Sequence, residues 1–387
     1  MAAWGDRDPS RVDWMELFFD LVFVALVGQL AHVLHVQPSF GTLALFVALF
    51  AAVWWSWVNL TVVVDLSPQF SRRRLSVVML IAMLPIGAMA VAAPEAAGDR
   101  AWLFAAGNGL LRVLLLCLWV QSSWSTGPAA RARVLAYNGL SAVLWLVSIA
   151  LPHPADFVLW AIAIALEVVL LLLTTSRWSS GAFAGVNVEH LAERFGLLVI
   201  IVLGESVLSI VAAVSSSWTI ASGIVGLLGL AIAAGLAWSF FLYGTDAMQS
   251  GLERLLARGD MRGIRDTVGF LPFLLLAGVT ALSAALAAAI SHPAVPLPPA
   301  LSVSLGGGIA LFYLTNAVIA RRFGDSWQTV LRWAIPAVTL PLLLMLAGLG
   351  LPALASVACA VAILALVVAA SEAGARRRLR EETSGRS

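Results

Sequence analysis

The chain has 387 residues, of which 61% are hydrophobic and 11% charged, and its formal net charge is +2. A soluble domain carries about 25% charged residues, so this sequence lacks the polar side chains needed to face water on all sides. A small net charge with its basic residues in short loops argues against a nucleic-acid partner. The two cysteines lie in apolar runs and no metal-ligand spacing is present, so we predict no disulfide, no metal and no cofactor.

Apolar runs of about 20 residues recur along the chain, which is the length a helix needs to cross the hydrocarbon core of a bilayer. They predict an all-α, polytopic transmembrane helix bundle of about 12 spans. In chain order the predicted spans cover residues 15–36, 42–64, 75–93, 101–121, 132–151, 155–175, 195–214, 219–243, 267–290, 300–320, 330–349 and 352–371.

Arginines gather at alternate loops between these spans. One set of loops holds nearly all of them, for example Arg72, Arg131, Arg194 and Arg265, whereas the other set holds only Arg100. The positive-inside rule places the arginine-rich set, and with it both termini, in the cytoplasm.

The two halves of the chain show an internal similarity. The segment that starts at Glu16 resembles the one that starts at Glu193, and Trp55-Ser56 and Gly107 find counterparts six spans later. This predicts two parallel six-helix repeats. The predicted organisation is a cytoplasmic N-terminus (1–14), a first repeat (15–175), a cytoplasmic linker (176–194), a second repeat (195–371) and an Arg-rich cytoplasmic tail (372–387).

Three ionisable residues lie near the middle of predicted spans: Arg112, Glu167 and Glu205, the last followed by Ser206. An ionisable side chain in lipid is costly, and such residues are functional candidates by default. In one interpretation Arg112 pairs with one glutamate and holds the bundle together. The other carboxyl would then lack an ionic partner. A protonatable carboxyl in the middle of the membrane is what a proton-coupled carrier or a proton path requires.

A second polar group lies near the predicted cytoplasmic face. Glu16 and Asp20 are four residues apart and so share one face of the first helix, while Asp65 ends the second span at the same depth. His190 and Glu193 lead into the seventh span after a predicted helix cap at Asn187. These groups either pair with interfacial arginines such as Arg194 or line a path for protons or ions.

Farther along the first span lie Gln29 and His32. A histidine in this position is either an interfacial hydrogen-bond partner or part of the path. The run Gly306-Gly307-Gly308 predicts close helix packing, because it opens a helix within lipid and lacks the lysine of a phosphate-binding loop.

Two segments resemble a known family. The first runs from Glu16 to Val24 and continues to Gln29 and His32. The second runs from His190 through Glu193-Arg194 to Leu203-Gly204-Glu205-Ser206. Both resemble signatures of the bacterial low temperature requirement A (LtrA) family. The resemblance implies a multi-pass protein of the bacterial cytoplasmic (inner) membrane and assigns no activity.

A weaker likeness concerns Phe18 to Asp20, which is similar to the Phe-Ser-Asp signature of a potassium-channel family built from six-helix repeats. In that family the apolar residues that follow line the pore, here Leu21, Val24 and Val27 or their neighbours. This analogy keeps a cation channel among the alternatives.

The leading functional hypothesis is a secondary transporter or proton-linked permease for an unidentified small solute or ion. Its predicted path residues are Glu16, Asp20, Gln29, His32, Arg112, Glu167, His190, Glu193, Glu205 and Ser206. A cation channel and an intramembrane enzyme or assembly factor acting on lipids are the alternatives. We predict that the protein is not an enzyme, since no nucleophile-base pair is evident. Its expected partners are the bilayer and the solute, and an oligomer is possible.

Overall fold

The computed structural model describes residues 13–67, 70–123, 132, 135–178, 187–243 and 245–384. Within these residues the regular secondary structure consists of helices. Eleven of the described helices are long and apolar enough to cross a membrane. The predicted all-α transmembrane architecture is therefore confirmed, whereas the count of twelve spans, the repeat and the orientation remain predictions.

The helices follow the predicted spans closely. In chain order they are α1 (Trp14–Val36), α2 (Phe40–Asp65), α3 (Arg72–Ala92), α4 (Ala101–Ser123), α5 (Leu140–Ser148), α6 (Ala155–Trp178), α7 (Val188–Ser216), α8 (Ile220–Tyr243), α9 (Thr245–Ala257), α10 (Met261–Arg265), α11 (Leu271–Ser291), α12 (Pro299–Arg322), α13 (Trp327–Ala347) and α14 (Ala353–Ser384).

The fifth predicted span lies partly outside the described residues. A π-helical segment, Leu135–Gly139, leads directly into α5. Together they form an apolar helix, Leu135–Ser148, which is shorter than the other candidate spans. A second π-helical segment, Asp266–Phe270, joins α10 to α11 in the same way. Residues 1–12 and 385–387 of the predicted terminal segments, and 179–186 of the predicted linker, also lie outside the described residues.

Local sequence explains several helix ends. Proline favours the first turn of a helix because its missing N–H has no partner there in any case, and α12 begins at Pro299. Ser326 caps α13, because its side chain accepts a hydrogen bond from the backbone N–H of Thr329 at 3.2 Å.

Two helices extend beyond their predicted bounds. The start of α7 is Val188, seven residues before the predicted position, and α14 continues into the predicted tail as far as Ser384.

The chain divides into two compact units. The first comprises Met1–Val33, Gly41–Ile201 and Leu252–Phe273, and the second comprises Leu34–Phe40, Val202–Gly251 and Leu274–Ser387. Many large apolar side chains are exposed, among them Leu84 at 74% and Leu227 at 70%. Large exposed apolar surfaces mark regions that contact a partner or a membrane. Exposed side chains of this kind are expected on helices that face lipid.

The first unit has an aromatic core on α2. The rings of Trp54 and Trp57 stack with their centroids 5.1 Å apart, and Phe23 of α1 packs 6.1 Å from Trp57. The indole N–H of Trp54 donates to the carbonyl of Gly269 at 2.8 Å. These indoles therefore lie in packed protein, and Trp57 also reaches a carboxylate described below.

The second unit relies on close helix approach at glycine. A Cβ at Gly306 would overlap the carbonyl oxygen of Pro341, and one at Gly308 would overlap that of Gly278, whereas Gly307 has ordinary space around its Cα. The close packing predicted for this glycine run therefore applies to Gly306 and Gly308. Small residues allow such approach between membrane helices.

We expect Gly306→Ala to lower the free energy of unfolding by about 1–3 kcal/mol, because α12 and α13 must separate to admit the methyl group. Gly307→Ala is the matched control and should leave stability unchanged or slightly raised. Unfolding in mild detergent titrated with a denaturing detergent measures both. Equal stability of the two variants would contradict this description of the contact.

Candidate functional site

Helices α1 and α7 present two pairs of ionisable side chains to each other. Glu16 Oε2 lies 2.9 Å from His190 Nε2, and Asp20 Oδ1 lies 3.1 Å from Arg194 Nη2. All four side chains are buried. The partners are four residues apart on each helix, so the two helices run parallel here and present one polar face each.

His190 lies between two carboxylates. Its Nε2 faces Glu16, and its Nδ1 is 3.4 Å from Asp65 Oδ1 at the end of α2. A neutral imidazole has one donor and one acceptor nitrogen, whereas two carboxylates both need a donor. A neutral ring can therefore donate to only one of the two carboxylates, and a second proton, on the other ring nitrogen or on a carboxyl oxygen, is needed to satisfy both.

The start of α7 holds this trio in place. Asn187 caps the helix as predicted, since its side-chain oxygen accepts from the backbone N–H of His190 at 3.2 Å. The backbone N–H of Asn187 donates to Asp65 Oδ2 at 2.9 Å. A carboxylate at a helix N-terminus is stabilised by the unpaired N–H groups there. The same turn thus orients His190 and fixes Asp65.

Asp20 lies deeper and accepts hydrogen bonds from two residues. The indole N–H of Trp57 donates at 2.7 Å, and Arg194 donates from Nη2 at 3.1 Å and from Nε at 3.4 Å. The guanidinium of Arg194 also lies 5.4 Å from the centroid of the Trp57 ring. Asp20 and Arg194 are fully buried, so each depends on the other for its counter-charge.

We expect Trp57→Phe to destabilise the protein by about 1.5–3 kcal/mol, because it removes a hydrogen bond to a charged group and keeps an aromatic ring. Trp55→Phe is the control: Trp55 is also buried on α2, and no described residue accepts from its indole N–H. Thermal unfolding in detergent compares the two. A larger loss for the control would show that ring volume, and not the bond to Asp20, decides the effect.

A second buried cluster lies deeper in the first unit. Arg112 Nη2 is 2.5 Å from Glu167 Oε2, and the hydroxyl of Ser141 donates to the other carboxylate oxygen of Glu167. Arg112 Nη2 also donates to the carbonyl of Ala52 at 3.1 Å. Arg112 is therefore paired, and of the two candidate glutamates its partner is Glu167.

Glu205 is the carboxyl left over. It lies on α7 in the second unit, is half-buried, and finds no ionic partner in the described part of the chain. Ser206 beside it donates to the carbonyl of Val202 at 3.1 Å, so its hydroxyl is satisfied by its own helix.

The remaining predicted path residues lie outside these clusters. Gln29, His32 and Glu193 have exposed side chains. The structure therefore brings together Glu16, Asp20 and His190 in one cluster and Arg112 with Glu167 in another. No group of three or more His, Cys, Asp and Glu side chains among the described residues could hold a metal ion.

Several cluster members were not among the predicted path residues. Asp65 is predicted near the cytoplasmic face without a place among the path residues, and Arg194 only as an interfacial partner of the acids there. Their signals were present, because a carboxylate ends a predicted span and an arginine follows Glu193. Ser141 gave no signal, since a single serine in an apolar helix is common.

A small cleft adjoins Glu16. It is lined by Asp13, Glu16, Arg72 and Ser76 with neighbouring apolar side chains. Arg72 Nε and Asp13 Oδ2 form an ion pair at 2.7 Å, and the backbone N–H of Asp13 reaches Glu16 Oε2 at 3.4 Å. The buried trio therefore has a polar approach on its Glu16 side.

The apolar helices and buried charged clusters define a polytopic α-helical membrane protein. The chain belongs to the bacterial low temperature requirement A protein (LtrA) family, whose model matches residues 11–369. The family predicted from the two signature segments is thus confirmed.

One similar protein is an uncharacterized protein of Rhizobium meliloti (strain 1021). It is 32% identical over 217 residues, which cover 53% of this chain and 52% of that protein. The match thus spans about half the length of this relative. No solved structure matches the chain.

Proposed function

We propose that this protein is a secondary transporter of the bacterial cytoplasmic membrane that couples movement of a small solute or ion to protons, without chemical conversion of the solute. The observation that carries the proposal is the position of His190. Its two ring nitrogens face Glu16 and Asp65 within a bundle of apolar helices. Buried ionisable chains of this kind are typical of proton relays in pumps and transporters.

Proton movement through the trio needs only short steps. A proton that arrives on Glu16 from the cleft passes to His190 Nε2, and the proton on Nδ1 passes to Asp65. Each step breaks one N–H or O–H bond and forms another, so the ring ends neutral and one carboxyl becomes protonated. Histidine suits this task because the ring can accept a proton at one nitrogen and release one from the other.

The protonation state of the trio also affects the Asp20–Arg194 pair. Glu16 and Asp65 lie within electrostatic range of Arg194, which is bonded to Asp20. Three carboxylates face two cationic groups, so the cluster retains one negative charge even with a fully protonated ring. Protonation of Glu16 therefore weakens the hold of this cluster on Arg194, and this change is the proposed link between proton and solute.

The proposed topology has twelve spans in two parallel repeats, with Leu135–Ser148 within the fifth span and both termini in the cytoplasm. The distribution of arginines supports this orientation. A single cysteine at Asp99 should react with a membrane-impermeant maleimide in intact cells, in a background without Cys117 and Cys359, whereas one at Ser71 should not. The reverse pattern would overturn the orientation.

The function is tested in proteoliposomes with a trapped pH-sensitive dye, while ions and small solutes are supplied outside under an imposed potential. We expect solute-dependent proton uptake that saturates with solute concentration. His190→Gln should lower its rate at least tenfold, because glutamine cannot pass a proton between the two carboxylates. His153→Gln is the control, since His153 also faces a carboxylate but is half-exposed.

The outcome separates the alternatives. Equal rates for wild type and His190→Gln would remove the trio from the path. A current that grows with the gradient and does not saturate would indicate a channel. Absence of flux for every ion and solute supplied would leave no support for transport and would favour a role in lipid chemistry.

A further inference from the structure

Two buried side chains of α4 have unused hydrogen-bond donors. Asn108 Nδ2, Arg112 Nε and Arg112 Nη1 find no partner among the described residues, and both side chains are fully buried. The residues are one turn apart, so they share a face of α4. Buried donors in folded proteins are nearly always satisfied by protein, water or a ligand. This face of α4 therefore has capacity for an acceptor that the described residues do not supply.

The same two residues are joined through α2. Arg112 Nη2 donates to the carbonyl of Ala52, and the hydroxyl of Ser56 lies 3.3 Å from that carbonyl oxygen. The Ser56 hydroxyl also lies 3.4 Å from Asn108 Oδ1. Asn108 and Arg112 thus belong to one polar cluster within the first unit.

The charge of this cluster depends on one proton. Glu167 is the only carboxylate with a described ion pair to Arg112. The groups that face Glu167 are Arg112 from α4, the Ser141 hydroxyl from α5, and Tyr137, which lies within electrostatic range. A proton on Glu167 would leave one positive charge on a fully buried guanidinium, and a buried charge requires a partner. A monovalent anion would restore neutrality, whereas a divalent one would leave a negative charge.

The adjacent backbone carries an independent signal. The π-helical segment Leu135–Gly139 contains Tyr137 and ends two residues before Ser141. Its backbone packs beside α4. A π-helical turn is rare in proteins and frequently lies at a functional site.

We propose that Asn108 and Arg112 bind a small monovalent anion, a halide, nitrate or the carboxylate of a small organic acid, and that it binds together with a proton on Glu167. Its transport consequence rests on the proposed function: one proton and one anion would cross together without net charge. Because both side chains are fully buried, the anion must lose its water and be small.

The test measures binding in detergent and not transport. The thermal unfolding midpoint of purified protein is followed against sodium chloride, nitrate or formate, with sodium gluconate keeping the ionic strength constant. For wild type, the anion concentration that gives half of the stabilisation should be at least tenfold lower in mildly acidic than in neutral buffer. This factor is of the size of one hydrogen bond's contribution to the binding free energy. Glu167→Gln should bind equally in both buffers, because the amide mimics a neutral carboxyl.

Two further variants test the donors. Asn108→Leu should raise the half-saturating concentration about tenfold, because one donor to a charged ligand is lost. The double variant Arg112→Leu/Glu167→Leu, which removes both charges together, should lose the anion-specific stabilisation. A preference among chloride, nitrate and formate then shows whether the site binds a halide, nitrate or a small carboxylate best.

Two results would overturn the proposal. One is the absence of an anion-specific shift in both wild type and Glu167→Gln, which would mean that the free donors bind water. The other is an unchanged shift in the double variant, which would place the anion elsewhere. Either result can coexist with solute-coupled proton flux in proteoliposomes, so failure of the anion site and failure of transport are distinguishable.

Discussion

Arg112→Leu should lower the free energy of unfolding by about 3–5 kcal/mol, because removal of one partner leaves a buried charge without compensation. Arg112 and Glu167 are 0% and 1% exposed at a separation of 2.5 Å. In the variant, the Glu167 carboxylate would keep the hydrogen bond from Ser141 but have no counter-charge among the described residues. The measurement is equilibrium unfolding in mild detergent titrated with a denaturing detergent.

The double variant Arg112→Leu/Glu167→Leu should recover most of this loss, since replacement of a complete buried pair by apolar side chains is often neutral. Arg100→Leu is the matched control. Arg100 pairs with Glu95 at 3.5 Å, but both side chains are more than 40% exposed. An exposed pair contributes about 0–1 kcal/mol. If the double variant were less stable than Arg112→Leu alone, the pair would not be the cause of the first effect.

Asp20→Asn should lower the free energy of unfolding by about 3 kcal/mol, because Arg194 then keeps its charge in a buried place without its direct counter-charge. The expected loss is at the lower end of the range, since Glu16 remains within electrostatic range of Arg194. The asparagine oxygen can still accept from Trp57. The effect therefore reports on the charge and not on that hydrogen bond.

Asp20→Asn/Arg194→Gln should regain stability, because two neutral amide groups can bond each other and leave no buried charge. Glu193→Gln is the control: it removes a carboxylate next to Arg194 in sequence, but from an exposed position. Thermal unfolding of wild type, Asp20→Asn, Arg194→Gln and the double variant completes a double-mutant cycle for Asp20 and Arg194. A coupling energy near zero would contradict the direct pairing of these side chains.

The helical membrane architecture could be predicted because the bilayer imposes a simple length and polarity rule. Spans such as 101–121 and 300–320 lie within a few residues of α4 and α12. Boundaries failed where polar residues continue a helix. The sequence predicts a start of α7 at residue 195, because Glu189, His190 and Glu193 do not resemble a membrane span, although it correctly predicts Asn187 as the cap.

Part of the candidate site was also visible in the sequence. An ionisable residue in an apolar run is rare because of its cost, so Asp20, Arg112, Glu167 and Glu205 stood out individually. The spacing of Glu16 and Asp20 predicted a shared helix face. The ionic partners could not be predicted, because the sequence does not show whether Arg112 pairs with Glu167 or with Glu205.

By itself the sequence determined the class of this protein: a chain with 11% charged residues and recurrent apolar runs must fold in lipid, and its two signature segments identify the LtrA family. Only the tertiary structure decided that His190 meets both Glu16 and Asp65, that Asp20 pairs with Arg194, and that Arg112 pairs with Glu167. The reason is physical. Hydrophobicity and helix period act along the chain, whereas the choice of an ionic partner depends on which helices pack together and at what register.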